Sequence, residues 1–391
     1  MTSGHKAAIV GIGMTEFSKR SGRNVEQLAL EAGLAACKDA GLRPQDIDGL
    51  VPFPMGPSAE DLMAGLNLPD VRYTAVSHMG GASTVASLAL AALAVKQGHA
   101  ETVLVFIARN GSSEARIASR VTTLPGQRYR TNLEHPYGFS TPAQWYSMWC
   151  QRHMQLYGTT REQLGTVALT MRENAQRNPH AQMYGKPLTM AQYLAGRPIA
   201  EPYLLFDCCI ETDGAGAVLV TTAERAKDLR HTPVHLIGYA EGHADSPDDI
   251  ANRSDFFNVG LTKAAPRAFE MADLKPTDID VAFIYDCFTF EVIQQLEEAG
   301  FCPRGEGGAF VEEGSIGMDG ALPVNPHGGL LSEGHIAGMN HIIEAVTQLR
   351  GTAGARQVDG AKTAAVTGWG DMGDGSLAVL AAAEDRNRNG S

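Results

Sequence analysis

The stretch Ala40–Asp48 reads AGLRPQDID, and a close copy, ADLKPTDID, recurs at Ala272–Asp280. Each copy follows a stretch whose apolar spacing predicts a helix, and each precedes a short apolar run that predicts a buried strand. These strands are Gly49–Val51 in the first copy and Val281–Tyr285 in the second. Recurrence of a helix–turn–strand unit indicates internal duplication. The sequence therefore predicts two similar halves packed about a pseudo-twofold axis.

Strands and helices alternate around the first copy. Apolar runs at Lys6–Gly13 and Glu101–Ala108 predict buried strands, and Asn24 with Gln27 predicts a capping box at the start of the first helix. Such alternation is typical of a mostly parallel sheet covered by helices on both faces. The predicted fold class is therefore α/β.

Paired glycines mark a second correspondence between the halves. Gly80-Gly81 before one predicted helix is echoed by Gly328-Gly329 before another. Two adjacent glycines allow the backbone to approach a ligand or a facing helix closely. We therefore expect the functional site where the N-termini of these two helices converge.

Residues 109–205 interrupt the alternation with arginine-rich and proline-containing segments. Two helices are predicted within them, at Pro142–Tyr157 and Arg161–Gln176. Because long excursions commonly shape a pocket, we interpret this part as an inserted loop domain over the sheet. The predicted organisation is an N-terminal half of residues 1–108 with 206–240, the insert 109–205, and a C-terminal half of residues 241–391.

The composition excludes several functional classes. A formal charge of −12 without a dense Lys or Arg cluster argues against nucleic-acid binding. No apolar run reaches the roughly 18 residues that a membrane-spanning helix needs. The six cysteines include no CxxC pair, so we expect no zinc site in this chain, and reduced thiols in a cytoplasmic protein. The run Gly11–Gly13 is too short and misplaced for a dinucleotide fingerprint.

The stretch Leu322–Asn340, LPVNPHGGLLSEGHIAGMN, joins a glycine-rich loop to a predicted helix. His335 lies where that helix is expected to begin, so its ring can point into whatever the loop encloses. Tyr285 ends a predicted buried strand and can face the same space. These two side chains are the first candidates for a site.

The thiolase superfamily is the family that this chain resembles, and the sterol-carrier-protein-X type is the most similar branch. The resemblance extends over about residues 5–383 and rests on the duplicated halves, on Tyr285–Phe288 (YDCF), on Glu298–Cys302 (EAGFC) and on the stretch from Pro323 to His335. It implies an αβαβα fold, a homodimer formed through the sheet edges, and action on coenzyme A thioesters.

Two departures from the thiolase pattern bear on the chemistry. Thiolases carry a nucleophilic cysteine at a helix N-terminus in the first half and a basic cysteine after the last apolar strand. The matching stretches, Ser77–Thr84 (SHMGGAST) and Thr367–Met372 (TGWGDM), contain no cysteine. Without a thiolate no acyl-enzyme forms there, so the thiolase mechanism is excluded. Ser83 is expected to help cap its helix rather than to replace the nucleophile.

One branch without these cysteines is more similar still: the thiolase-like aldolases that cleave side chains from steroid coenzyme A esters. In that branch the counterpart of Tyr285 is a catalytic tyrosine, and a second tyrosine stands where this chain has His335. The resemblance implies a small OB-fold, zinc-ribbon partner in a heterotetramer, with zinc only in that partner. It also implies an acyl-CoA substrate and no cofactor bound by this chain. The resembling segments include Gly80–Ala82, His135–Gly138, Asp207–Cys209, Thr212–Ala215 and Gly338–Asn340.

Retro-aldol cleavage of a β-hydroxyacyl-CoA suits these residues because it needs no covalent nucleophile. A base takes the proton of the β-hydroxyl, and donors stabilise the enolate that develops on the thioester oxygen. Tyr285 and His335 are the predicted catalytic pair, and which one is the base stays open. The predicted substrate carries a steroid side chain, and the products are a shorter acyl-CoA and a ketone or aldehyde.

Further residues are predicted to support the pair. Amides at the start of the helix after Gly80 can donate to an oxyanion. Asp286 is expected to orient backbone or His335, and Asn325 to shape the turn before a proline. His327 is expected to be a surface loop residue. The supporting set is His78, Gly80, Gly81, Asp286, Asn325 and Gly334.

Two alternatives stand beside the aldolase. One is a catalytically silent acyl-CoA-binding or lipid-binding subunit, which the absent cysteines also fit. The other is a divergent acyltransferase that uses an unrecognised thiol such as Cys287. The sequence selects no residues for binding coenzyme A.

Overall fold

The structure, a computed structural model, describes residues 7–114, 116, 128–245, 253–370 and 373–383. Among these residues, no helix is both long and apolar enough to cross a membrane. The helices are α1 (Val25–Ala40), α2 (Ala59–Gly65), α3 (Ser83–Lys96), α4 (Arg128–Leu133), α5 (Pro142–Tyr157), α6 (Arg161–Gln176), α7 (Met190–Leu194), α8 (Ala223–Ala226), α9 (Gly260–Ala272), α10 (Thr289–Glu298), α11 (Gly307–Glu312), α12 (Gly329–Ser332) and α13 (Met339–Leu349). The strands are β1 (Ala7–Met14), β2 (Gly49–Pro52), β3 (Tyr73–Thr74), β4 (Thr102–Asn110), β5 (Pro198–Ala200), β6 (Tyr203–Leu204), β7 (Asp213–Thr222), β8 (Val234–Gly242), β9 (Val281–Phe283), β10 (Thr363–Trp369) and β11 (Gly375–Ala382).

The main sheet shows the predicted duplication. Its strand order is β3-β2-β4-β7-β1-β8-β11-β10-β9, so β1 and β8 meet at the pseudo-twofold axis. The two copies of the repeated segment make equivalent contacts. Asp48 accepts a hydrogen bond from the Thr102 amide at 2.8 Å, at the start of β4. Asp280 accepts one from the Thr363 amide at 2.9 Å, at the start of β10. Each carboxylate thereby fixes the turn before one strand to the start of the strand paired with it in the sheet.

The prediction of a mostly parallel sheet is wrong. Strand β2 runs parallel to β3 and β4, and β9 runs parallel to β10. The other neighbours that the described residues form are antiparallel. In the first half the difference arises from β7, which returns after residues 109–205 and pairs antiparallel with β4 and β1. A strand buried on both faces reads as the same apolar run in either direction, so the pattern could not reveal this.

Helices form three layers with the strands between them. Helix α1 covers β1, β4 and β7 from outside, and α9 covers β8 and β11 on the opposite outer face. Helices α3 and α13 lie in the middle layer, where each contacts strands of both halves. Their apolar side chains share one core with both sets of strands, including Leu88, Val105, Ile342 and Val366. The arrangement confirms the α/β fold with duplicated αβαβα halves.

The segment after Gly328-Gly329 forms two helices, and His335 does not begin either of them. Helix α12 is a four-residue turn, and the long helix α13 begins only after Gly338. Ala337 and Gly338 adopt positive φ values of 50° and 81°, a left-handed conformation that interrupts a helix. His335 therefore lies in the loop between α12 and α13, and α13 is the helix equivalent to α3.

The part predicted as an insert contains α4 to α7 and the small β5–β6 sheet. Helices α5 and α6 have the predicted bounds, because each has a capping residue at its start and α5 ends at Gly158 with a φ of 77°. Helix α6 packs on α10, α11 and α12, so this part covers the second half. The predicted division into two halves and an insert stays a prediction.

Candidate functional site

A small cavity of about 50 Å3 lies where the N-terminal ends of α3 and α13 meet. Gly80 and Gly81 reach it from the first half, and Ala337 from the second. The Thr84 hydroxyl donates to the Ala337 carbonyl and joins the two ends. The cavity therefore lies where the sequence places the site. The other lining residues are Phe53, Met55, Arg109, Pro142, Tyr146, Cys209, Tyr285, Cys287, Phe288, His335 and Trp369.

Tyr285 and Phe53 face this cavity from equivalent positions. Tyr285 follows β9 as Phe53 follows β2, at the same sequence distance beyond Asp280 and Asp48. The Tyr285 amide donates to Thr367 Oγ1 at 3.0 Å, which fixes the end of the strand and the direction of the side chain. Tyr285 carries a hydroxyl and Phe53 does not, so the two equivalent positions differ chemically.

Glycines make room for the Tyr285 ring. A Cβ at Gly81 would lie 2.4 Å from the Tyr285 hydroxyl oxygen, far inside van der Waals contact. A Cβ at Gly338 would lie 3.1 Å from the edge of the same ring. The hydroxyl therefore rests directly on the backbone that starts α3. Only glycine at position 81 permits this approach.

His335 is the partner of Tyr285. Its Nε2 lies 3.4 Å from Tyr285 Oη, and its amide donates to Thr212 Oγ1 at 2.9 Å. Its Nδ1 lies 3.1 Å from Nη1 of Arg109. Burial, followed by the positive charge of Arg109 and by His341, holds the pKa of His335 well below its usual range. The imidazole is therefore neutral at physiological pH.

Arg109 is the site residue that sequence reasoning missed. It lies near the end of β4, lines the cavity and is 1% exposed. A signal was present, because an arginine that directly continues the apolar run VLVFIA must either leave the core or meet a polar partner there. Its strand pairs with Gly214 on β7, so the guanidinium is held from the first half against a histidine of the second.

Asp286 and Asn325 hold the loop around the cavity rather than line it. Asp286 is fully buried and accepts hydrogen bonds from the amides of Leu330 and Leu331 at 2.8 and 3.1 Å. Asn325 accepts from the Ile284 amide at 2.9 Å and donates to the Ile284 carbonyl at 2.8 Å. Both residues thus orient backbone next to Tyr285, and Asp286 makes its contacts to backbone and to His341.

The prediction that His327 is a surface residue is wrong. It is fully buried, with Nε2 3.1 Å from Nδ1 of His341. His341 Nε2 lies 3.0 Å from the Ile284 carbonyl, and since a carbonyl only accepts, that nitrogen carries a proton. His341 Nδ1 and His327 Nε2 thus share one hydrogen bond. The loop folds inward because the two rings bond to each other and His341 also bonds to the Ile284 carbonyl.

Glu333 completes this buried polar layer. Its two carboxyl oxygens accept hydrogen bonds from the amide groups of Asn178 and Asn340, each at 2.8 Å. Burial raises the pKa of Glu333 to about 8, and nearby Glu344 adds to the effect. A large share of this side chain is therefore protonated at neutral pH, beside the loop that carries His335.

Other predicted supporting residues lie in different surroundings. His78 is exposed and does not line the cavity. Gly334 packs against Phe17, since a Cβ there would meet that ring at 2.4 Å. Gly80 and Gly81 line the cavity, but the Ala82 amide donates to the Met79 carbonyl at 3.0 Å. That amide is therefore not available to an oxyanion.

Ser83 does not cap its helix as expected. Its hydroxyl accepts a hydrogen bond from the Met79 amide at 2.8 Å, and the residue at the helix start is Ala82. The serine is fully buried and used in folding the turn. It is therefore no replacement for a thiolase nucleophile.

The Cys209 thiol lines the cavity without being activated. Burial raises the pKa of Cys209 well above its usual range, and the charge of Glu211 adds to this effect. A nucleophilic cysteine requires the opposite shift, because the thiolate is the reactive form. Of the second stretch without a cysteine, Asp371 and Met372 lie outside the described residues. Within the part of the chain described, no group of His, Cys, Asp or Glu side chains could hold a metal ion.

Known proteins match this chain over most of its length. Residues 242–382 match the family described as Thiolase C-terminal domain-like. The chain is 41% identical over 365 residues to the 17-hydroxy-3-oxo-4-pregnene-20-carboxyl-CoA lyase of Mycobacterium tuberculosis, covering 90% of this chain and 93% of that protein. It is 41% identical over 355 residues to the steroid side-chain-cleaving aldolase of Thermomonospora curvata, covering 89% and 91%.

A solved structure agrees with these relatives. The Ltp2-ChsH2(DUF35) aldolase superposes with a TM-score of 0.90 at 38% identity, covering 97% of this chain and 98% of that chain. The superposed part therefore includes both halves of this chain. The chain therefore belongs to the steroid side-chain-cleaving aldolase family of the thiolase superfamily.

Proposed function

We propose that this protein is an aldolase that cleaves the Cα–Cβ bond of a β-hydroxyacyl-CoA thioester by a retro-aldol reaction. The supporting observation is the pair of Tyr285 Oη and His335 Nε2, 3.4 Å apart at the wall of the cavity. Two groups that can move or hold a proton face each other, and both cysteine positions of a thiolase lack a cysteine. This combination suits proton transfer without an acyl-enzyme.

The proposed reaction begins when one member of the pair takes the proton of the β-hydroxyl. The oxygen then forms a carbonyl while the Cα–Cβ bond breaks, and the electron pair of that bond becomes an enolate on the thioester. A donor to the enolate oxygen lowers the barrier by about 3–4 kcal/mol. The proton returns to Cα, so no oxidant, reductant or cofactor is consumed. A ketone or aldehyde and a shorter acyl-CoA leave the site.

The lining of the cavity fits an apolar substrate. Phe53, Met55, Phe288 and Trp369 form much of the wall around Tyr285. At about 50 Å3 the cavity is small. We propose that the reacting carbons enter it while the ring system and coenzyme A stay outside.

The names of the relatives support the finer proposals. Because the lyase of Mycobacterium tuberculosis is named for a steroid coenzyme A ester, we propose a steroid side chain as the substrate of this protein. The name of the Ltp2-ChsH2(DUF35) aldolase includes a second component. We propose an equivalent partner here, a small OB-fold protein with a zinc ribbon, bound to a homodimer of this chain as a heterotetramer. Zinc is then held by the partner.

The test is to co-express the chain with such a partner and incubate the complex with a steroid 17-hydroxy-20-carboxyl-CoA ester. Mass spectrometry should detect a 17-ketone and a shorter acyl-CoA. Tyr285→Phe should lower kcat by at least about 10²-fold, in the range expected for loss of a general base. Tyr239→Phe, on β8 away from the cavity, is the matched control. Absence of a carbonyl product, or unchanged cleavage by Tyr285→Phe, contradicts the proposal.

A further inference from the structure

Arg109 makes a hydrogen bond into the ring of His335. Its Nη1 lies 3.1 Å from Nδ1, and both residues are buried, at 1% and 5% exposure. The contact joins β4 of the first half to the α12–α13 loop of the second. A guanidinium offers only donors and stays charged in proteins. The Nδ1 atom of His335 must therefore present its lone pair to Arg109.

We infer that Arg109 is a positioning residue that fixes His335 as the neutral tautomer with its proton on Nε2. A neutral imidazole has one N–H, and the bond from Arg109 excludes that proton from Nδ1. The low pKa of His335 agrees, because a second proton would have to enter beside the guanidinium. The nitrogen that faces Tyr285 Oη at 3.4 Å is consequently the donor.

This tautomer assigns the roles of the pair, and the assignment rests on the proposed aldolase function. Nε2–H can donate but cannot take a proton, so His335 is not the base. It donates first to the Tyr285 oxygen and then to negative charge on the substrate. Tyr285 is left as the group that takes the β-hydroxyl proton and returns it to Cα.

The charge of Arg109 acts in the same direction. One imidazole separates the guanidinium from Tyr285 Oη, so the positive charge favours negative charge on that oxygen. Other titratable groups near the pair include His341, whose ring centre lies 6.4 Å from that of Tyr285, and Tyr146, Cys209 and Cys287 of the cavity lining. The charge of Glu211 acts on Cys209. Arg109 contacts His335 from the first half.

The tautomer can be measured without any turnover. In ¹⁵N NMR of the labelled complex, a protonated ring nitrogen and one with a free lone pair have well-separated shifts, and His335→Gln identifies the His335 signals by difference. We expect Nε2 to be protonated and Nδ1 to be bare across the neutral pH range. A proton on Nδ1, or a positively charged ring at neutral pH, overturns the inference.

The variant Arg109→Met keeps an unbranched side chain, although a shorter one, and removes the donors and the charge. We expect kcat to fall about 10²–10³-fold, as for loss of one oriented donor, with KM nearly unchanged. The acidic limb of the pH profile of kcat/KM should move to higher pH, and the His335 signals should show mixed tautomers. Arg350 pairs with Asp39 outside the site, so Arg350→Met is the control. It should leave the pH profile of kcat/KM and the His335 signals unchanged.

A double variant distinguishes action through His335 from direct contact with substrate. If Arg109 acts through the imidazole, Arg109→Met should cost almost nothing further in the His335→Gln background. If the fold losses of kcat in the two single variants multiply in the double variant, the inference is wrong. If the wild-type complex cleaves no β-hydroxyacyl-CoA, the proposed function is wrong. The inference about the tautomer is tested separately, by the NMR measurement.

Discussion

At the scale of single residues, the site depends on a hydroxyl held against bare backbone. The Tyr285 oxygen occupies the space that a side chain at position 81 would need, and the Tyr285 amide is fixed by Thr367. Gly338 also makes room for the ring, because a Cβ there would lie 3.1 Å from its edge. The position and orientation of the hydroxyl therefore depend on the absence of side chains at Gly81 and Gly338.

Gly81→Ala tests this contact. The added methyl would meet both the Tyr285 hydroxyl and the Trp369 carbonyl at 2.4 Å, so the ring or the turn must shift. We expect a loss of about 1–3 kcal/mol in the free energy of unfolding, and at least a tenfold loss of kcat. Urea unfolding and steady-state kinetics measure the two effects. Gly33→Ala, within α1, is the control and should retain activity; normal kinetics in Gly81→Ala would show that the ring has room to move.

Asn325→Ala tests the support of the strand end. Asn325 is fully buried with a φ of 48°, and its side chain bonds to both the amide and the carbonyl of Ile284. Removing it leaves the buried Ile284 amide unpaired, takes one of two partners from the Ile284 carbonyl, and places alanine in a left-handed conformation. We expect a loss of about 2–4 kcal/mol in unfolding free energy, measured by urea titration. Stability equal to the wild type would mean that this turn is held by other contacts.

The sequence was informative about some site residues for a physical reason. Tyr285 and His335 lie in segments whose own residues reveal a strand end and a glycine-rich loop. Arg109 was not found, because its bond to His335 joins positions 226 residues apart and exists only after the two halves pack. His327 was misplaced for a different reason: its partner His341 lies on the helix that covers it, and the loop sequence does not reveal that contact.

At the scale of elements, helix α10 is unusual because every residue from Thr289 to Glu298 is buried. Its first turn contains Glu291, whose carboxyl accepts a hydrogen bond from the Tyr203 hydroxyl at 2.9 Å. Burial raises the pKa of Glu291 to about 8 from an ordinary value of 4.5. The folded protein therefore holds a proton there that the unfolded chain releases at lower pH.

Stability should consequently fall as pH rises from about 4.5 to about 8, the two values between which the folded and unfolded states differ in protonation at Glu291. Glu291→Gln keeps an acceptor for Tyr203 and removes the titration, so the fall should be smaller in this variant. Glu333, with its pKa also raised to about 8, contributes a further share. Urea unfolding at several pH values measures the slope, with the exposed Glu162→Gln as control. An unchanged slope in Glu291→Gln would contradict the explanation.

Helices were easier to predict than the direction of strands. The bounds of α5 and α6 follow from local signals, namely a capping threonine before each and a glycine after α5. Strand direction has no local signal when both faces are buried. The length of the helix near His335 also depended on backbone conformation at Ala337, a residue type that rarely adopts positive φ.

At the scale of the whole molecule, one core joins the two halves. Leu88 of α3 is fully buried in the cluster that also contains Ile9, Val105 and Val366. Since α3 contacts β7 on one side and β10 and β11 on the other, neither sheet half can keep its inner face covered without this helix. Unfolding of the halves should be coupled.

Leu88→Ala tests that coupling. We expect a loss of about 2–5 kcal/mol, the usual range for a buried leucine. Hydrogen exchange should show the same loss of unfolding free energy in β4 of the first half and in β10 of the second. Thermal unfolding should show one transition. Leu34→Ala, at a leucine that is 48% exposed on α1, is the control. Faster exchange confined to the first half would show that the halves unfold separately.

The equivalent positions of Phe53 and Tyr285 have an evolutionary consequence. If two identical chains formed this frame, one codon would specify both positions, and each site would carry two hydroxyls or none. When both copies are joined in one chain, each of the two positions can be substituted independently. One copy could then retain an inert ring that shapes the wall, while the other acquired an acidic proton. Duplication thereby allowed a symmetric frame to evolve an asymmetric reaction.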